Sequence, residues 1–108
     1  MRTLDITDRL DDQKPLLKFH GKEYEVDNSA VTMNQVMYKL TKVKNDDDEI
    51  SLFNDIFAKT LGEKAVEDIK EMKLSYMGYR KVFFAVLALA TEQEYEVVEE
   101  SFRKQLNK

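Results

Sequence analysis

A chain of 108 residues has the size of one ordinary domain, enough to bury about two-thirds of the surface it exposes when unfolded. Its 43% apolar and 35% charged residues argue against wholesale disorder and for a folded protein with a solvated surface. A formal charge of -4, from 17 basic and 21 acidic side chains, gathers no phosphate backbone, so nucleic acid is not an expected partner. The lack of cysteine removes disulfides, thiolate catalysis and cysteine-based zinc sites, and suits a reducing cytoplasm.

In chain order, MRTLDITDRLDD has no apolar core of the signal-peptide kind, and no segment reaches the roughly 20 apolar residues that cross a bilayer. A cytosolic protein with no membrane partner is expected. TLDIT at Thr3–Thr7 alternates well enough for a short strand, which the acidic cluster and Pro15 then break. LLKF and EYEV flank His20-Gly21-Lys22, where glycine supplies the positive φ of a tight reversal. Leu17 and Phe19 share one face of the first strand, and Tyr24 and Val26 share one face of the second. Because a lone hairpin is marginal in water, it needs cover from helices, from TLDIT as a third strand, or from another chain.

Asp27, Asn28 and Ser29 are helix-capping types, and Met33, Val36, Met37, Leu40 and Val43 follow on one helical face. The spacing predicts helix one over residues 30–44. An acidic break, KNDDDE, leads to helix two, whose stripe is Ile50, Phe53, Phe57 and Leu61, with Gly62 placed for a left-handed cap. Ala65, Val66, Ile69 and Met72 mark a short third helix, and Ser75 caps a fourth.

Helix four carries Val82–Ala90, a run of apolar residues that demands cover on every side. Thr91 and Glu94 match a capping box for helix five, which would show Tyr95, Val98, Phe102 and Leu106 on one face. The pattern is met equally by two helices or by one unbroken helix. The expected fold is mainly α, of α+β type: an N-terminal β-hairpin or short antiparallel sheet followed by a bundle of four to five helices. One domain over residues 1–108 is expected, with strands in 1–28 and helices in 29–108.

No constellation demands a particular chemistry. Counted from Asp46, an EF-hand loop would need glycine where Ser51 stands and glutamate where Phe57 stands, so NDDDE reads as a solvated acidic loop. His20 has no second nitrogen ligand and no nucleophile to activate, and it reads as a turn residue. The three glycines lie too far apart to cradle phosphate. Glu67 and Glu71 would become acid–base candidates only if buried together. Lys39, Lys42 and Lys44 make a small basic patch that the following acids largely cancel. No enzyme activity, metal or cofactor is expected. The informative feature is an apolar surplus, which either fills the core or meets another helix, and the five methionines suit an adaptable apolar surface.

The order of parts carries a resemblance. A strand pair ending in GKEYEVD, a helix, an acidic break, a helix ending LGEKAVEDI, and then LSYMGYRKVFFAVLALATEQEYEVVEESF resemble the small tail assembly chaperones of long-tailed phages and prophages of Gram-positive bacteria. The resemblance spans roughly Lys18 to Phe102 and contains no catalytic signature. It implies a non-enzymatic protein of the host cytoplasm, absent from the mature virion, that coats the tape measure protein until tail tube protein polymerises around it. It also implies, in many members, a frameshifted longer product that recruits tube subunits.

Many copies of a small acidic module, each holding one apolar segment weakly, suit that role, and a homo-oligomer is compatible with it. The groove is expected along helices four and five, with Phe83, Leu87, Tyr95, Val98 and Phe102 as its contacts. The competing expectations are a minor head–tail or tail component that stays in the virion through strand pairing of the hairpin, and a small helical regulator with one folded partner.

Overall fold

The structure is a computed structural model that describes residues 2–10, 13–42 and 49–106. The strands are β1 (Leu16–Phe19) and β2 (Lys22–Glu25), antiparallel, with Leu17 opposite Tyr24 and Phe19 opposite Lys22. His20 and Gly21 both take positive φ, 51° and 73°, which matches the twist of the strands that the two-residue turn joins. Lys22 therefore belongs to β2, and the reversal is one residue shorter than the sequence suggests. Val26 continues the pairing beyond β2 by donating its N–H to the Pro15 carbonyl at 2.8 Å.

Helices cover the hairpin. Leu17 and Val26 are buried, and β1 packs on α4 (Tyr76–Thr91). The Tyr24 hydroxyl donates to Asp68 Oδ2 at 3.2 Å, Lys22 Nζ lies 3.7 Å from the same carboxylate, and the Asp27 N–H donates to the Thr60 carbonyl at 2.8 Å. The short strand expected at Thr3–Thr7 does not form, and the sheet has two strands among the described residues. Asp5 Oδ1 instead accepts from the Thr7 N–H at 3.0 Å and the Thr7 hydroxyl at 2.6 Å, opening a 3-10 turn over Thr7–Arg9. Leu4 and Ile6 remain exposed, so no buried apolar face holds this segment against the sheet.

α1 (Ala30–Thr41) starts at Ser29, whose side chain accepts from the Thr32 N–H, and ends at Lys42. Val43 and the acidic segment 44–48 lie outside the described residues. α2 (Glu49–Thr60) buries Phe53, Ile56 and Phe57. Gly62 closes it, donating its N–H to the Phe57 carbonyl at 3.1 Å. Its φ of 99° and ψ of 160° are open essentially to glycine alone, an extended corner in place of the expected left-handed cap. The same residue is the N-cap of α3 (Glu63–Met72), which buries Ala65, Val66 and Ile69.

Ser75 caps α4 by accepting from the Gly78 N–H at 3.1 Å. α4 and α5 (Tyr95–Leu106) are separate helices. Thr91 does not form the expected capping box. It stays helical and donates its hydroxyl back to the Leu87 carbonyl at 2.6 Å, while Glu92 turns left-handed at φ 58°. The Glu94 carbonyl, accepting from the N–H groups of Val97 and Val98, opens α5. α4 packs against α2, α5 and β1, and it buries Phe83, Phe84, Val86, Leu87, Ala88 and Ala90. Half-buried Val82, Ala85 and Leu89 complete the cover. The mainly helical fold, a hairpin followed by a bundle, is the one read from the sequence.

Asp27 joins the hairpin to α1. Its Oδ1 accepts from the Ser29 N–H at 2.9 Å and its Oδ2 from the Thr32 hydroxyl at 2.8 Å. These bonds, the backbone one foremost, hold its carboxyl below the usual aspartate range. A carboxylate held low in the fold contributes stability that is full above its unfolded pKa of about 3.9 and is lost as pH falls through the folded value. Asp27→Asn should lower the unfolding free energy by about 1 kcal/mol at neutral pH. In urea melts the gap between the two proteins should close as pH falls from about 5 to about 2; a gap that persisted in acid would contradict the assignment.

Candidate functional site

The apolar stripes of four helices do not close completely on one another. α1 packs on α2, and α5 packs on α4. Between these pairs lies a cleft of about 520 Å³. One bank carries Met37, Leu40, Leu52 and Phe53 from α1 and α2, and the other carries Phe83, Phe84, Leu87, Val98 and Phe102 from α4 and α5.

The floor is aromatic. Phe53 stacks on Phe83 with ring centroids 4.4 Å apart, and Phe102 stands edge-on to Phe83 at 5.3 Å and tilted to Phe84 at 5.6 Å. Such pairs add about 0.5–1.5 kcal/mol each beyond the area they bury. Met37, with 48% of its surface open, sits at the mouth, where a flexible thioether can adapt to what enters.

Glu49 and Arg80 bring charge to the lining, and Tyr76 and Tyr95 stand outside it. The Tyr76 hydroxyl donates to Glu49 Oε2, a contact that pushes the phenol pKa up, with burial adding to it. Arg80 lies with its guanidinium carbon 5.4 Å from the Phe84 ring centre and 5.9 Å from that of Tyr76. Burial foremost, then Glu99 and Glu96, raises the Tyr95 phenol, and Arg80 opposes the shift.

Four of the five residues expected to form the groove, Phe83, Leu87, Val98 and Phe102, line this cleft. Phe83, Leu87 and Val98 are 0%, 4% and 4% exposed, so they form floor and walls, and Phe102 is the half-buried one that an occupant could touch. Tyr95 is not among the lining residues, and its ring meets Phe84 edge-on at 6.3 Å. The Leu106 side chain lies outside the described residues. The α1–α2 bank and Arg80 were not anticipated. Met37, Leu40 and Phe53 were legible as helix stripes, yet periodicity does not say which two stripes leave a gap.

A second groove, of about 750 Å³, lies between the hairpin and the α2–α3 corner and mixes lysines with acids. Its Lys22–Asp68 and Tyr24–Asp68 contacts hold the hairpin down, so it reads as part of that attachment. Elsewhere, His20 is an exposed turn residue, and Glu67 and Glu71 are both exposed. Lys39 pairs with Asp55 of α2 at 3.3 Å, and Lys42 lies over the Tyr38 ring. Among the described residues no cluster of three or more acidic or histidine side chains is placed to hold a metal ion, and no helix is long and apolar enough to cross a membrane.

Comparison with protein-family models, curated proteins and solved structures finds no match.

An open apolar cleft should take up a neutral apolar dye such as Nile red, with a blue-shifted rise in fluorescence. Ser101 is exposed and lines the cleft. Ser101→Trp should therefore fill the mouth and reduce uptake several-fold while leaving unfolding stability within about 0.5 kcal/mol. Undiminished uptake would place the dye elsewhere.

Proposed function

We propose that this protein is a non-enzymatic tail assembly chaperone of a long-tailed phage or prophage. In this reading it acts in the host cytoplasm, holds apolar helical segments of the tape measure protein in the cleft, and helps bring tail tube protein to them. The observation that supports the reading most is the cleft itself, an apolar, aromatic-floored groove bounded by helices α1, α2, α4 and α5. A helix docked there would set side chains spaced i, i+3 or i+4, and i+7 into it. The resemblance of the segments from GKEYEVD through LATEQEYEVVEESF to such chaperones supplies the partner.

Weak single sites suffice for this work. A long tape measure offers many segments, and copies of the chaperone bound side by side raise one another's effective concentration if they also touch. The excess of acidic side chains keeps such a coated complex dispersed.

Co-expression with the tape measure protein tests the reading. Met37→Asp and Ser101→Asp place a charge at exposed positions at the mouth of the cleft and should lower the soluble tape measure yield several-fold. Val97→Asp, on the exposed face of α5, should not. Equal yields from all three variants would remove the cleft from the function.

The outer edge of β1 carries no further strand among the described residues, and this favours the second reading, a virion component joined by strand pairing. Mass spectrometry of purified particles separates the two: a chaperone is absent from them and a structural subunit is present.

A further inference from the structure

Arg80 stands on α4 at the edge of the cleft and is half-buried. Its Nε is buried and has no hydrogen-bond partner. The polar contact it does make is weak, from Nη1 to Met77 Sδ at 4.0 Å. Among the described residues no carboxylate comes within ion-pair distance of it, whereas Lys18, Lys22 and Lys39 each have one and Arg103 has two. This happens in a chain with more acids than bases. Glu49, the acid that shares the rim, is already engaged by the Tyr76 hydroxyl.

A partly desolvated guanidinium without a carboxylate is an unfavourable state that burial against rings offsets only in part. The rings of Phe84 and Tyr76 do fix its position, because a cation over an aromatic face is held there by the ring's charge distribution. The group is therefore pre-placed and planar, and because its Nε is closed to solvent a carboxylate can meet it through the two terminal nitrogens, with two parallel hydrogen bonds.

We propose that the segment docked in this cleft is an amphipathic helix that carries a carboxylate beside its apolar anchors, and that Arg80 receives that carboxylate. The inference rests on the reading of the cleft as a docking site and adds the chemistry of the occupant. At about 520 Å³ the cleft has the capacity of a small-ligand site, so it takes a helix's side chains while the helix body lies across the mouth. Met37 continues the apolar bank outward to solvent, which suits an occupant that extends past the cleft.

Arg80 also gives an acidic protein a way to select for, and orient, a partner with an acid at one register. A wrong register leaves the guanidinium unpaired and the partner's carboxylate desolvated.

The test uses a panel of synthetic amphipathic helices with a Leu/Ala apolar face and one Glu moved along its border, their Gln twins, and dodecanoate as a free apolar acid. Binding to the full chain is read by isothermal titration calorimetry. The best Glu peptide should bind about tenfold tighter than its Gln twin. Arg80→Gln should bring the Glu peptide down to the level of the Gln twin and leave the twin unchanged. Arg80→Lys, which keeps the charge without the fork, should retain part of the preference. Equal binding of every Glu peptide and its twin would overturn the carboxylate pairing while leaving the cleft a docking site. Binding of neither series would overturn the docking reading and this inference with it, and binding of dodecanoate alone would replace the helix by a free acid.

Discussion

The run from Val82 to Ala90 has no polar residue and therefore no face that can be left to water. α2, α5 and β1 are placed by the need to cover it, and α1 and α3 pack on α2. α2 supplies Phe53 against Phe83, α5 supplies Phe102 and Tyr95 against Phe83 and Phe84, and β1 closes a further side. Each large side chain buried this way is worth roughly 1.5–3 kcal/mol, so the cover accounts for much of what opposes the entropy of folding. The hairpin, marginal alone, is stable here because it is one of the covers and is tied to α2 and α3 by Thr60 and Asp68.

Covering a central helix with a few short elements leaves a seam. α1 reaches the core through α2. Its stripe buries Val36 but leaves Met37 partly in solvent. The seam between the α1–α2 pair and the α4–α5 pair becomes an apolar cleft with a stacked aromatic floor. The residues that hold the floor together are also those that hold the fold together. The working part of the cleft is thus its mouth, at Met37 and Arg80, where a substitution changes binding without emptying the core.

Much of this was legible in the sequence because the physics is local. The reversal around Gly21, though not its exact length, the Ser29 and Ser75 caps and the apolar stripes of the helices follow from turn chemistry, capping and the 3.6-residue period. The failures have local causes as well. TLDIT alternates over too few residues to bind a sheet edge, and Asp5 offers Thr7 a nearer acceptor. Thr91 resembles an N-cap in sequence, but its hydroxyl finds the Leu87 carbonyl one turn back, so α4 keeps it. The α1–α2 bank and Arg80 were hidden for a different reason: which stripes face each other, and which charge lacks a partner, depend on packing between elements far apart in the chain.

The claim on which the functional reading turns is that an apolar helical partner enters between the α1–α2 and α4–α5 pairs. Methyl-resolved NMR of the protein, titrated with an apolar helical segment of a tape measure protein, tests it most directly. The largest shift changes should fall on the methyls of Leu40, Leu52, Leu87 and Val98, with Leu17 and Ile69 little moved. Changes centred on Leu17 and Ile69, at the hairpin and α3, would contradict it.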